Sequence, residues 1–228
     1  MNLIADAWAW LTDPASWSDG GIPERIAQHL AVTLVVVALA AIIALPTGIV
    51  VGHRRRGSGW VVATSGAARA IPTLGVLTLF ALWLGIGLVA PVLALVLLAI
   101  PPLIAGAYSG VVSIDHSIPE AARAIGMSET QIVGTVEMPL ASRTIVGGLR
   151  SATLQVVATA TLAAYTSDTG LGRYIIGGLK SRDYAEMIGG SILVVALALA
   201  LDGVFVLSLR SLVFRRNPLP HHQERTAS

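Results

Sequence analysis

The amino-acid sequence predicts an all-α, polytopic membrane protein with about five transmembrane helices. Of the 228 residues, 54% are hydrophobic and 12% are charged, whereas soluble globular proteins carry about 25% charged residues. Too little polar surface remains to face water, and the mean hydropathy is +0.75. This composition argues against a soluble enzyme, a disordered chain and a nucleic-acid-binding protein. The formal net charge of +2 gives no reason to expect a polyanionic partner.

Long uncharged stretches define the first three predicted spans, because a transmembrane helix needs roughly 20 apolar residues. The first span is expected over 30–52, just before the basic run at 53–56. No charged residue occurs over 70–114, which is long enough for two helices. We expect these two spans to be separated at 85–87, where two glycines flank an isoleucine, and the second of them to begin at Pro91.

Two further spans are expected nearer the C-terminus. The fourth covers 151–167, immediately after Arg150, and the fifth covers 187–214, interrupted by Asp202. Five spans place the two termini on opposite sides of the membrane.

The distribution of basic residues gives the orientation, because cytoplasmic loops carry an excess of arginine and lysine. If 53–69, 115–150 and the chain from Arg210 onward are cytoplasmic, eleven basic residues lie on that side and four on the other. The N-terminus is then outside and the C-terminus is inside a bacterial cytoplasmic membrane. The predicted parts are an extracytoplasmic N-terminal segment (1–28), a transmembrane domain (29–214) and a cytoplasmic polar tail (215–228).

Three tryptophans, Trp8, Trp10 and Trp17, lie in the N-terminal segment. Indole rings are enriched at the headgroup level of membranes. We therefore favour interfacial anchoring for these residues over a role in ligand binding.

The loop over 115–140 carries strong helix-boundary signals. Ser117 with Glu120 three residues later is the pattern of a capping box, and Gly126 is expected to end the short helix that follows. Ser128 with Gln131 predicts a second capped helix.

Two capped helices in a loop between membrane spans are expected to dock on a partner. Ile118, Ala122 and Ile125 could form the apolar face for that partner, and Pro139 is expected to stop the second helix. The plain alternative is an amphipathic loop that packs on its own chain.

The same loop resembles the EAA loop of ABC importer permeases. The matching pattern is Glu120-Ala121-Ala122, three residues, Gly126, nine residues, Val136, one residue, and Met138-Pro139. Valine and methionine at 136 and 138 replace the more usual isoleucine and leucine. The resemblance implies a coupling helix that docks on a separate cytoplasmic ATPase subunit, which binds ATP and Mg²⁺ while this chain binds no cofactor. The coupling residues that it implies are Glu120, Ala121, Ala122, Gly126, Met127 and Pro139.

A second resemblance covers about 13–214 and points to the osmoprotectant branch of these permeases. It rests on four segments, at 29–30, 45–48, 70–74 and 169–179. That branch imports glycine betaine, choline, carnitine and proline betaine. The resemblance implies an extracytoplasmic binding protein, and a second permease subunit, identical or homologous, is expected because one such chain cannot enclose a pathway. Asp168 departs from the small residue that often precedes the glycine-rich run.

Residues inside or beside the predicted spans are candidates for the pathway or its gate. Prolines kink membrane helices, and an intramembrane carboxylate needs a partner or a cavity. For Asp202 we favour an ion pair with Arg69 over a pore-lining contact or a place near the cytoplasmic mouth. The candidates are Arg69, Pro72, Thr73, Pro101, Pro102 and Asp202.

The segment 168–184 predicts a short interfacial helix at the outer rim. Leu171, Ile175, Ile176 and Leu179 fall on one helical face. The ending that a phosphate-binding loop requires is missing, so no ATP site is expected. We expect no catalytic residue and no metal site, since cysteine is absent and the histidines lack ligand spacing. The glycines that we assign to this helix are Gly170, Gly172, Gly177 and Gly178.

Three rival hypotheses stay open at this point. An importer of an amino acid or another small solute would share the coupling loop. A self-contained secondary carrier would leave that loop unexplained and should show matching broken helices in two halves. A structural membrane anchor is disfavoured by the many prolines and glycines in the predicted spans.

Overall fold

The computed structural model describes residues 2–55, 57, 59–61, 63 and 70–214, with side chains up to residue 210. Within these ranges the chain is helical and contains no strand, as the sequence predicts. A 3₁₀ turn covers Pro14–Trp17, a π-helical segment covers Ile132–Glu137, and a second 3₁₀ turn covers Ala160–Tyr165. The α-helices are α1 (Leu3–Thr12), α2 (Ile22–His53), α3 (Thr73–Leu84), α4 (Val89–Val112), α5 (Ser117–Ala124), α6 (Glu129–Gln131), α7 (Met138–Thr159), α8 (Gly172–Ser181) and α9 (Tyr184–Phe214).

Four helical stretches of the described chain are long and apolar enough to cross a membrane. They are α2, α4, the continuous helical stretch Glu129–Tyr165 and α9. The apolar helix α3 has 12 residues, and most of the chain immediately before it lies outside the described residues. The first and last of these stretches are longer than the predicted spans, because α2 begins at Ile22 and α9 at Tyr184.

The predicted break between the second and third spans is confirmed, although the helix after it, α4, begins at Val89 and not at Pro91. Helix α3 ends at Leu84, and Gly85 adopts a φ of 83°, which an L side chain disfavours. Pro72 does not kink a helix, contrary to expectation: it has an extended backbone and immediately precedes α3. Pro101 and Pro102 do lie inside a helix, and α4 continues through both.

The core is built around α4, which packs between α2 and α7. Small residues permit this close approach, which matters in a membrane because lipid tails remove the hydrophobic drive for helix association. Gly106 of α4 and Gly148 of α7 meet backbone to backbone, since a Cβ added at Gly106 would lie 2.6 Å from the Gly148 Cα. Buried alanines at the centre of the cluster include Ala40, Ala44, Ala99 and Ala152.

The N-terminal helix α1 packs against α9 instead of lying free at the surface. Ala7 is fully buried, and the Trp10 ring meets the Tyr174 ring of α8 edge-on at a centroid distance of 5.0 Å. Trp8 and Trp17 remain exposed, at 66% and 49%, so the anchoring interpretation fits these two residues and not Trp10.

Candidate functional site

The short helix α5 begins with a side-chain cap, although not the one that the sequence suggested. The Asp115 Oδ1 accepts hydrogen bonds from the Ser117 backbone N–H at 2.9 Å and from the Ser117 hydroxyl at 2.7 Å. These bonds hold the pKa of Asp115 below its ordinary value. The predicted capping box of Ser117 with Glu120 is therefore wrong, because the Glu120 carboxylate instead pairs with His116 Nδ1 at 2.8 Å.

The C-terminal end of α5 forms as predicted, at Gly126. The φ of Gly126 is 89°, its N–H donates to the Arg123 carbonyl, and the Met127 N–H donates to the Ala122 carbonyl. This pair of bonds is the Schellman motif, which requires a left-handed residue at its centre. Gly126 thus sets the direction of the chain between α5 and α6.

The second predicted cap is also confirmed, but the helix that follows is not stopped. Ser128 and Gln131 form a capping box. The helix then passes through the π-helical segment and continues into α7, so the predicted stop at Pro139 is wrong. The Met138 N–H bonds to the Val133 carbonyl, five residues back. Because this shifts the hydrogen-bond register, Pro139 lies in a first helical turn, where its missing N–H costs nothing.

The predicted apolar face of α5 divides between the protein interior and its surface. Ala122 is 7% exposed and packs inward, whereas Ile118 is 41% and Ile125 is 80% exposed. Glu120 and Ala121 are exposed as well. Two isoleucines, an alanine and a carboxylate on one rigidly capped helix make a surface suited to a protein partner.

A network of charged side chains, which sequence analysis missed, joins α5 to the end of α2. His53 Nδ1 lies 2.8 Å from the Glu137 carboxylate, and His53 Nε2 lies 3.0 Å from Glu129. The Arg123 guanidinium of α5 then binds Glu129 with two bonds, of 2.8 and 2.9 Å, which raises the pKa of Arg123. We call His53, Arg123, Glu129 and Glu137 the charged network.

The charged network connects elements that are distant in sequence. Glu137 is 2% exposed, so its carboxylate depends on the bond to His53. Next to the network lies a cavity of about 500 Å³ that Arg54, Arg55 and His116 also line. The charged network therefore links α5 to the end of α2. His53 appeared in the sequence only as part of a basic run, and nothing local relates it to a glutamate 84 residues away.

The partner of the intramembrane carboxylate is also a residue that the sequence did not indicate. Asp202 of α9 accepts two hydrogen bonds from Arg150 of α7, at 2.5 and 2.8 Å. Arg69 lies outside the described residues. Arg150 was expected at the cytoplasmic end of the fourth span, but α7 begins twelve residues before it, at Met138. The arginine is therefore carried into the middle of the helix, to the level of Asp202.

At the opposite end of α2, a helix forms within the segment 168–184, as predicted, and it covers Gly172–Ser181 as α8. Of the residues assigned to its apolar face, Leu171 and Ile176 are buried in the protein, whereas Leu179 is 53% exposed. Gly172 is required by packing, since a Cβ there would lie 2.0 Å from the Thr161 carbonyl oxygen, and Gly178 packs in the same way against the start of α9. Gly177 has no such close neighbour.

Buried His29 of α2 holds the loop before α8. Its Nε2 lies 3.0 Å from the Val157 carbonyl oxygen, and its Nδ1 accepts the Leu171 N–H at 3.4 Å. Gly170, with a φ of 76°, lies against this ring. Asp168, the departure from the family pattern, binds Arg25 and Arg173, so it ties the loop to α2 and α8.

Together, long apolar helices packed through small residues and a capped loop exposed at one end define a polytopic membrane protein of the importer-permease class. The chain belongs to the family described as the binding-protein-dependent transport system inner membrane component, whose model matches residues 37–217.

Individual relatives agree with this membership. The chain is 31% identical over 193 residues to the choline transport system permease protein OpuBB of Bacillus subtilis (strain 168), covering 85% of this chain and 89% of that protein. It is 30% identical to the osmoprotectant import permease protein OsmW of Salmonella typhimurium, covering 77% and 84%. A chain of the MetNI methionine ABC transporter in an inward-facing conformation has the same fold, with a TM-score of 0.74, 23% identity and coverage of 88% and 99%.

Proposed function

We propose that this chain is the permease subunit of an ATP-driven importer for an osmoprotectant such as glycine betaine, choline, carnitine or proline betaine. The observation that carries the proposal is the geometry of α5: a capped helix exposes Ile118 and Ile125 and is joined to α2 by the charged network. The relatives named for choline and osmoprotectant import support the substrate class.

The proposed partner of α5 is a cytoplasmic ATPase subunit, which binds ATP and Mg²⁺. Glu120, Ala121, Ala122, Gly126 and Met127 form or position the docking surface, and Pro139 lies where the loop enters α7. ATP-driven movement of α5 would reach α2 through His53, which gives a physical route from hydrolysis to the spans. A second permease subunit completes the pathway, and an extracytoplasmic binding protein delivers the substrate.

We assign the His53 end of α2 to the cytoplasm and the Ile22 end to the outside. The excess of arginine around the His53 end supports this orientation. Within the membrane, Arg69, Pro72, Thr73, Pro101, Pro102 and Asp202 are the proposed pathway or gate residues. At the outer rim, Gly170, Gly172 and Gly178 allow α8 to pack where it can help to gate the mouth, and Gly177 lies on the same helix.

The test is reconstitution of the chain with its partner ATPase and binding protein in proteoliposomes, with uptake of labelled glycine betaine, choline and methionine. The proposal expects ATP-dependent uptake of a quaternary amine. Uptake of methionine alone would contradict the substrate class, and uptake without ATP would contradict the importer mechanism.

The orientation is tested separately, because the native chain has no cysteine. Ser181→Cys should react with an impermeant thiol reagent in intact cells, and Ser128→Cys should not. The reverse labelling pattern would invert the topology and remove α5 from contact with a cytoplasmic ATPase.

A further inference from the structure

A pocket of about 380 Å³ lies at the Ile22 end of α2, at the opposite end of that helix from the charged network. It is lined by residues of α1, of α8, of α9 and of the segment between α1 and α2. None of its side chains takes part in the coupling geometry. The lining residues are Trp10, Ala15, Ser16, Ser18, Asp19, Gly20, Gly21, Tyr174 and Glu186.

We call this pocket the outer pocket. Two aromatic side chains line it and are held firmly in place. Trp10 and Tyr174 meet edge-on with their ring planes at 72°. Gly189 and Gly190 of α9 make room for them, since a Cβ added at Gly189 would lie 2.4 Å from Trp10 Cε3 and one at Gly190 would lie 2.6 Å from Tyr174 Cβ. Rings fixed by a glycine pair and by each other need little ordering when a ligand binds.

The remaining charge in the outer pocket is negative. Within the described part of the chain, neither Glu186 nor Asp19 has a basic side chain at ion-pair distance. The nearby guanidinium groups of Arg25 and Arg173 share the single carboxylate of Asp168, at 3.3 and 3.0 Å, so one of their two positive charges is not balanced by it. The two carboxylates of the pocket exceed that remaining positive charge by one, which leaves an attraction for a cation.

Aromatic rings combined with carboxylates select a particular kind of cation. A quaternary ammonium group presents methyl groups to ring faces and spreads its positive charge over them, so that cation–π attraction and Coulomb attraction act together. A small inorganic cation would keep its water shell and gain little from the indole and phenol rings.

We infer that the outer pocket binds a small quaternary ammonium compound, with Trp10 and Tyr174 against the methyl groups and Glu186 and Asp19 balancing the charge. The inference rests on the proposed function only for its place on the outer side, where the binding protein would deliver substrate. The pocket then binds the cationic group of the substrate before the substrate enters the pathway.

The experiment measures equilibrium binding of choline to the assembled transporter in lipid nanodiscs, without ATP, by saturation-transfer NMR of the choline methyl signal. The neutral isostere 3,3-dimethylbutan-1-ol is measured in parallel. We expect saturable choline binding and binding of the alcohol weaker by roughly tenfold. Equal affinity for the two compounds, or no saturable binding of choline, would overturn the inference.

Variants assign the binding to the outer pocket. Glu186→Gln keeps the shape and removes the charge, and Trp10→Leu removes a ring; each should weaken choline binding by roughly fivefold. The matched control is Trp8→Leu, because Trp8 lies on the same helix, is 66% exposed and does not line the pocket. If Trp10→Leu does not fold, Glu186→Gln decides alone. Unchanged binding in Glu186→Gln would place the choline site elsewhere and reject the inference.

Two other outcomes separate this inference from the proposed function. If the wild-type chain co-purifies with its ATPase and transports substrate but Glu186→Gln weakens only the association of the binding protein, the outer pocket is a protein contact and the inference fails. If choline binds at the outer pocket but the chain neither holds an ATPase nor shows ATP-dependent uptake, the proposed function fails and the inference stands.

Discussion

The two ends of α2 differ in which side chains are buried and in which groups connect the neighbouring elements. At the Ile22 end, His29 and Leu171 are buried and are bound through backbone groups, and Gly170 closes the loop over them. The exposed Asp168 adds two ion pairs at the surface of this end. At the His53 end, Ile125 is 80% exposed and the connections between elements are made by charged side chains.

This contrast indicates where movement is expected. Backbone hydrogen bonds and glycine contacts have one geometry and are lost if an element shifts. Long charged side chains can keep their pairing through small displacements. The Ile22 end is therefore suited to hold a fixed rim, and the His53 end is suited to receive a moving partner.

The change expected to disturb the His53 end most is Gly126→Val. A β-branched residue at a φ of 89° is strained, by roughly 1–3 kcal/mol, and relief of that strain would reorient α5. We expect membrane insertion to be retained, ATPase association to fall and uptake to be abolished. Gly134→Ala is the matched control, because Gly134 lies in the same loop with open space around its Cα. Wild-type uptake by Gly126→Val at equal expression would remove α5 from the coupling mechanism.

The Arg150–Asp202 pair tests the region between the two ends. An unpaired charge within a membrane is unfavourable. Arg150→Gln and Asp202→Asn should therefore each lower the thermal unfolding midpoint, and the double variant should recover part of the loss. Combining Asp202→Asn with Arg69→Gln gives the comparison cycle. Coupling in the Arg69 cycle together with additive losses in the Arg150 cycle would show that the sequence-based pairing is correct and the observed pair is incidental.

A smaller effect is expected from Glu137→Gln in the charged network. The change keeps the shape of the side chain but weakens the bond to His53 in a buried place, at a cost of about 1–3 kcal/mol. The unfolding midpoint should fall and ATP-driven uptake should decrease without being lost. Glu24→Gln, at an exposed carboxylate of the Ile22 end, serves as the control. Equal losses in the two variants would mean that the charged network has no special part in linking α5 to α2.

Local signals in the sequence predicted the local structure well. Gly126 ends α5 and Ser128 begins the next helix, because each effect involves neighbours within a few residues. The long apolar stretches likewise predicted the four described helical stretches that are long and apolar enough to cross a membrane, whereas the predicted second span corresponds to the shorter helix α3. The resemblance to the EAA loop located the exposed helix α5.

The errors have physical causes that a single sequence does not display. Asp115, two residues before Ser117, accepts the hydrogen bond from the Ser117 N–H and so caps the helix in place of Ser117. Pro139 did not stop the helix, because the π-helical segment before it shifts the hydrogen-bond register and places Pro139 in a first helical turn. The links His53–Glu137 and Arg150–Asp202 join residues 84 and 52 positions apart, so they depend on packing of whole helices and on no local pattern.

Photo-crosslinking from the two ends of the molecule tests whether α5 is the helix that docks on the ATPase. A benzophenone amino acid replaces Ile125 on α5 or, as the control, Leu179 on α8, which is 53% exposed. In the complex with ATPase and binding protein, the account predicts an adduct with the ATPase from position 125 and none from position 179. An ATPase adduct from position 179, or none from position 125 in a complex that hydrolyses ATP, would contradict the assignment of α5 as the docking helix.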